Sequence, residues 1–138
     1  MDATFPSGVD KNMILVAGGT HAMFYQSPAS TNYTLRNNAM YNLTIWIRNP
    51  TLTDATLYYR IEYYDSTGIK YITGLGWKSG AVSKNGPITR LVINWPGISG
   101  WTLPAGSGFV LEMYSQNSNV ILYYDDPDYP SSIDIPKP

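Results

Sequence analysis

From Ala55 to Asp65 the sequence alternates without a break, with Leu57, Tyr59, Ile61 and Tyr63 at one set of positions and Tyr58, Arg60, Glu62 and Tyr64 at the other. A period of two belongs to a β-strand, whose successive side chains point to opposite faces; an amphipathic helix cannot use it. The same period recurs from Tyr41 to Arg48, where Tyr41, Leu43, Ile45 and Ile47 form the apolar face and Asn49-Pro50 ends the run. It recurs again from Phe109 to Ser115, with Phe109, Leu111 and Met113 set against Val110, Glu112 and Tyr114. Helical periodicity appears nowhere along the chain, which leaves an all-β fold.

The remaining runs fit that class. Asp65-Ser66-Thr67-Gly68 supplies turn chemistry between the long strand and a partner from Ile69 to Thr73, which predicts a hairpin. A glycine-rich passage (Gly74, Gly76, Gly80) precedes a strand from Ile88 to Trp95, and a Pro/Gly loop runs from Pro96 to Gly108. Val120 to Tyr124 follows a turn at Gln116 to Asn119, and Ser131 to Ile135 reads as one more short strand. Met13 to Val16 and His21 to Tyr25, divided by Gly18-Gly19, add two weaker ones. Seven or eight strands with turns about every ten residues predict an antiparallel β-sandwich of jelly-roll type. Residues 1–138 are expected to form one such domain, with no internal repeat or linker.

Charge narrows the partners. Only 14% of the 138 residues are charged, against about 25% in typical soluble domains. Nine basic residues, spread singly, and a net charge of −1 do not make the clustered cationic surface that phosphate backbones require, so nucleic acid is not an expected partner. The longest apolar stretch, Met13 to Ala17, is too short for a membrane span. Near Met1 nothing reads as a signal peptide, because Asp2, Pro6 and Asp10 interrupt it; Met1 is either the true start or an addition to a segment of a longer precursor. Cysteine is absent, which removes disulfides and thiolate chemistry without fixing the compartment.

From Tyr41 onward the order of features resembles the galactose-binding-like jelly rolls, including carbohydrate-binding modules of exported enzymes. The resemblance rests on Tyr41-Asn42-Leu43-Thr44-Ile45-Trp46-Ile47-Arg48, on the strand Ile61-Glu62-Tyr63-Tyr64 entering the Asp65-Ser66-Thr67-Gly68 turn, on Leu103-Pro104-Ala105-Gly106, and on Tyr123-Tyr124-Asp125-Asp126. It covers about two-thirds of the chain and departs after Asp126, where Pro127-Asp128-Tyr129-Pro130 makes a stiff turn. It implies a jelly-roll sandwich, a structural calcium and sugar binding.

No catalytic residues are expected. His21 is the only histidine, so any Ser-His-Asp relay would need it, and its setting beside Gly18-Gly19-Thr20 reads as an ordinary strand end. Glu62 and Glu112, the only glutamates, fall on outward faces, where pairing with Arg60, Arg48 or Arg90 is the ordinary role and not the paired attack of a glycosidase. No cofactor is expected beyond a structural calcium, for which Asp125, Asp126 and Asp128 are the candidate ligands; turn formation explains the same residues. Zinc and redox metals lack ligands. Two N-glycosylation patterns, at Asn32 and Asn42, arise readily by chance in a chain this rich in asparagine and threonine.

The aromatic excess is the most informative signal. Trp46, Tyr58 and Tyr64 fall opposite the apolar faces of their strands, and Trp77, Trp95 and Trp101 lie in or beside loops. Such rings stack on sugars, anchor protein contacts or are covered by their own chain. Trp46, Tyr58, Tyr64, Trp77 and Trp101 are therefore the candidate ligand- or partner-binding residues. The expected function is a non-catalytic structural or adhesive module, exposed on a cell surface or extracellular fibre or decorating a virion, with protein partners or its own copies. The alternative is a carbohydrate-binding module that delivers an attached enzyme to polysaccharide. Low charge and the flanks Met1 to Asp10 and Ile133 to Pro138, read as extended arms, favour assembly.

Overall fold

The computed structural model describes residues 2–4, 12–19, 21–34, 40–72, 75–96, 101–123 and 131–134. Thirteen strands lie among them: β1 (Asp2–Thr4), β2 (Asn12–Leu15), β3 (Ala22–Tyr25), β4 (Tyr33–Thr34), β5 (Met40–Arg48), β6 (Ala55–Asp65), β7 (Gly68–Tyr71), β8 (Lys78–Val82), β9 (Thr89–Pro96), β10 (Thr102–Leu103), β11 (Gly108–Ser115), β12 (Val120–Tyr123) and β13 (Ser132–Asp134). No helix occurs among the described residues. The all-β expectation holds, but the strand number exceeds seven or eight. β1, β4 and β10 are only two or three residues long, and β8 carries Gly80, so none of them shows a readable alternation.

Two antiparallel sheets make the sandwich. In one, β9 pairs with β5 along residues 40–47, while the other edge of β5 is shared by β12 against 46–48 and β13 against 42–44; β2 extends β12 and β1 extends β13. In the other, β11 lies along β6 from Leu57 to Tyr64 and carries β3 on its far side. The second edge of β6 is again shared, by β8 against 55–59 and β7 against 62–65. β4 and β10 form a separate two-stranded ribbon. The described parts of both flanks are in the sheet, β1 pairing with β13 and β13 with β5, and are not free arms.

The core is built from the apolar positions of the alternating runs. Leu43, Ile45 and Ile47 from β5 and Val120 and Leu122 from β12 meet Leu57, Tyr59 and Ile61 from β6, Phe109, Leu111 and Met113 from β11 and Phe24 from β3. Each fully buried aliphatic side chain contributes about 1.5–3 kcal/mol. One buried polar residue is fully served: Asn49 donates to the carbonyls of Thr53 (2.7 Å) and Val82 (3.0 Å), and its Oδ1 accepts from the Thr51 backbone and hydroxyl. Where β12 gives way to β13, the Ser131 hydroxyl accepts the Trp46 N–H at 3.0 Å and donates to the Tyr123 carbonyl. A side chain thus fills the break in the ladder.

The hairpin read at Asp65–Gly68 is present. Asp65 Oδ1 accepts from the Thr67 backbone and hydroxyl, and Gly68 closes the turn at φ 125°, a conformation that only glycine adopts without strain.

Candidate functional site

With the odd positions of β6 committed to the core, its even positions emerge on the outer face of the five-stranded sheet. Register then decides what stands beside them. Tyr58 lies opposite Tyr114 of β11 and Ser79 of β8, Arg60 opposite Glu112, and Glu62 opposite Val110 and Tyr71. Tyr64 lies opposite Gly108, and Met23 and Tyr25 of β3 continue the rows of Glu112 and Val110. Side chains from five segments thereby converge on one face.

Three rings stack across the strands: His21 on Tyr114 (4.3 Å between centroids, 9° between planes) and Tyr114 on Tyr58 (5.1 Å, 13°). Trp77 stands edge-on to His21 and Tyr114 at 6.0 and 5.3 Å. It precedes β8 and arrives where the second edge of β6 passes from β7 to β8, beside Arg60. The Arg60 guanidinium leans over the Tyr71 ring at 3.8 Å and lies 5.9 Å from the Trp77 ring. Such cation–π contacts hold an arginine in place without neutralising it. Tyr71 is 65% exposed and Trp77 38%, so the two rings flank a fixed cation while still meeting solvent.

Beneath them sits a carboxyl pair. Glu62 is fully buried although it faces outward, between Val110 and Tyr71 in register, with Arg60 crossing diagonally to the Tyr71 ring. Neither Glu62 oxygen receives a hydrogen bond from an N–H or hydroxyl donor. Burial, and then the hydrogen bond and charge of Glu112, push the Glu62 carboxyl up to about 8, with Arg60 opposing. Glu112 moves the other way. Burial pulls it upward, but the hydrogen bonds with Glu62 and His21, and the charges of His21 and Arg60, leave it below its ordinary value. Near neutral pH Glu62 is therefore largely protonated and Glu112 is the anion, and the Glu112 Oε2 accepts from His21 Nδ1.

A second aromatic pair lies along the same face, where Tyr25 is edge-on to Tyr64 at 5.6 Å and Tyr64 donates to the Gln26 carbonyl. Tyr64 can lie so low because residue 108 has no side chain: a Cβ there would come within 2.5 Å of the Tyr64 ring.

Of the five aromatic residues singled out in the sequence, this face brings together Tyr58 and Trp77, with Tyr64 further along β6. Trp46 is on the other sheet, half-buried, with Arg90 at 6.0 Å from its ring. Trp101 packs edge-on to Tyr63 (5.5 Å) and beside Phe109, against the core. Asp125, Asp126 and Asp128 lie outside the described residues. No group of three or more histidine, aspartate or glutamate side chains that could hold a metal occurs among the described residues. Of the three arginines expected beside Glu62 and Glu112, Arg60 is there, opposite Glu112 in register and acting on both carboxyls, whereas Arg48 and Arg90 sit on β5 and β9 of the other sheet and cannot pair with them. His21, Arg60, Tyr71 and Tyr114 were not singled out as binding residues. Their strand periodicity was visible, but the register that joins them was not.

No protein-family model and no curated protein matches the sequence. Among solved structures the chain is similar to a CocE/NonD family hydrolase from Staphylococcus aureus, with TM-score 0.66 and 13% identity over 99% of this chain and 34% of the hydrolase. The chain thus spans about a third of that protein's length. It is also similar to the CBM22-1 xylan-binding domain from Paenibacillus barcinonensis, with TM-score 0.46 and 11% identity over 100% of this chain and 94% of that domain. At such identities the likeness to the hydrolase is one of fold: an antiparallel, jelly-roll-like β-sandwich.

Proposed function

We propose that the chain is a non-catalytic carbohydrate-binding module whose ligand lies across the outer face of the five-stranded sheet. The observation that carries this reading is the group formed by Arg60, stacked on Tyr71, flanked by Trp77 and set beside the Glu112 anion. A sugar ring presents an apolar C–H face and a rim of hydroxyls. Exposed aromatic rings take the face, while a guanidinium and a carboxylate, fixed in position, donate to and accept from the rim. From β3 to β7 the face crosses three strand spacings, about 14 Å, which suits a short run of linked sugars better than a single ring. The carboxyl pair supports a binding role. Glycosidases hold their two carboxyl groups about 5 Å or more apart, both reaching the scissile bond, whereas Glu62 is fully buried and Glu112 is engaged by His21.

The test is affinity electrophoresis through gels containing soluble arabinoxylan, mixed-linkage β-glucan or galactomannan. The wild-type protein is expected to be retarded by at least one of them. Trp77→Ala and Tyr71→Ala should each lose about tenfold or more in affinity, the worth of a well-placed ring. Migration unchanged by every polysaccharide would overturn the reading.

A second reading, as a structural or adhesive module, is favoured by the opposite sheet. Ile14 and Val16 are exposed there, with Ile121 half-buried at a register position opposite Ile14. Adjoining exposed apolar side chains are a feature of contact surfaces. Concentration-dependent self-association abolished by Ile14→Lys would favour it. Either reading goes with an extracellular, cell-surface or virion setting.

A further inference from the structure

Register places Arg60 directly opposite Glu112 on the outer face, where a cross-strand ion pair would ordinarily form. The pair is not made. Glu112 is taken on one side by His21, whose Nδ1 meets its Oε2, while Arg60 leans to the other side over the Tyr71 ring, 3.8 Å from the centroid. The His21–Glu112 contact is the one within ion-pair distance among the described residues, and Arg60 Nε is buried without a hydrogen-bond partner. A cation is thus held in place by aromatic rings with no carboxylate on it. We infer that the ligand is a mostly neutral polysaccharide carrying single uronate units, and that Arg60 receives the uronate carboxylate beside Tyr71 and Trp77. The inference rests on the carbohydrate-binding reading and names the substrate class of the same site.

A guanidinium that lies over a ring has one flat face occupied and presents its donors at the edge, where two parallel N–H bonds match the two oxygens of a carboxylate. The contact with Tyr71 sets the direction of that edge before ligand arrives, so little side-chain freedom is lost on binding. A sugar hydroxyl could accept one of these bonds but would leave the charge unmatched. Glu112 does not compete for the position. It stands on β11, about 5 Å from β6 on the side away from β7 and β8, and it is engaged by His21 still further toward β3. An incoming carboxylate approaches from the opposite side, where Tyr71 and Trp77 supply rings for the apolar face of the sugar that carries it.

The number of cations limits the number of acids. Among the described residues of the five-stranded sheet, Arg60 is the one arginine or lysine at an outward register position, since Lys70 and Lys78 stand opposite Tyr63 and Tyr59 on the other set of positions. One cation answers one carboxylate. A continuous polyuronate would need a row of them, and a chain with a formal net charge of −1 offers it no long-range attraction. Neutral sugars on either side of the uronate meet the hydroxyl- and ring-rich remainder of the face.

The experiment titrates wild type, Arg60→Gln and Arg60→Lys with glucuronoxylan, and with the same polymer after its carboxylates have been reduced to primary alcohols. Isothermal titration calorimetry at about 0.15 M salt gives the affinities, and melting temperatures confirm folding. Wild type is expected to bind the acidic form about tenfold more tightly than the reduced form. Arg60→Gln should show no preference, and Arg60→Lys, which keeps the charge but not the planar fork, a preference of about threefold. Equal affinity of wild type for the two forms, or a folded variant of either kind that keeps the full preference, overturns the uronate assignment and leaves the carbohydrate reading standing. Failure of wild type to bind either form also overturns the assignment. Together with no retardation by arabinoxylan, mixed-linkage β-glucan or galactomannan, that failure overturns the carbohydrate reading as well.

Discussion

Asn49 shows how much one side chain can hold. It follows β5, and its amide joins three segments by serving the carbonyls of Thr53 and Val82 and the donors of Thr51. In Asn49→Ala both carbonyls lose a donor, and the Val82 bond is in the buried interior. A loss of about 2 kcal/mol is expected from leaving buried groups unserved, read as a lower urea midpoint with an unchanged slope. Asn49→Asp should cost at least as much, because a carboxylate would face two carbonyl oxygens. In the sequence Asn49 reads only as a strand stop before Pro50; the local stop was legible, and the long-range partner at Val82 was not.

At the scale of elements, each sheet has a long strand whose one edge is shared by two short ones. On β5 the gap between β12 and β13 is closed by Ser131, whose hydroxyl accepts from the Trp46 N–H and donates to the Tyr123 carbonyl. Ser131→Ala should cost about 1–2 kcal/mol and speed amide exchange at Trp46 while sparing Leu57 and Ile61 on β6. The long strands were readable because both faces of β5, β6 and β11 keep strict period. Their pairing was not, since β11 meets β6 across roughly fifty intervening residues and a shift of one position would have sent Glu112 to the core. The candidate site inherits that division. That Tyr58, Arg60, Glu62 and Tyr64 point outward was evident from β6 alone. That Glu112 and Tyr114 stand among them, and that Arg48 and Arg90 belong to another sheet, depends on register.

For the whole molecule, the sandwich separates two outer surfaces by a core about 10 Å thick. The carbohydrate reading assigns ligand to one of them. Trp46→Ala, on the opposite sheet, should therefore leave polysaccharide affinity within about twofold of wild type, and tryptophan quenching by ligand should persist in that variant and vanish in Trp77→Ala. Equal losses from both substitutions would mean that the ligand is not confined to the five-stranded sheet. With a formal net charge of −1 and no cationic cluster, association with a neutral polymer should change little between low and physiological salt, whereas a polyanion-binding surface would weaken steeply.

The strict alternation of β6 gives this strand two separate vocabularies. Its odd residues specify the interior and its even residues specify what the surface meets, and the two sets share only the backbone between them. Selection, natural or in the laboratory, can therefore rewrite Tyr58, Arg60 and Tyr64 in pursuit of a different polymer while Leu57, Tyr59 and Ile61 keep the strand folded. Glu62 is the exception, an even residue that has become interior. A library that randomises the three half-buried even positions with Glu62 held constant should return mostly folded proteins, whereas one that also varies the fully buried Glu62 should return fewer.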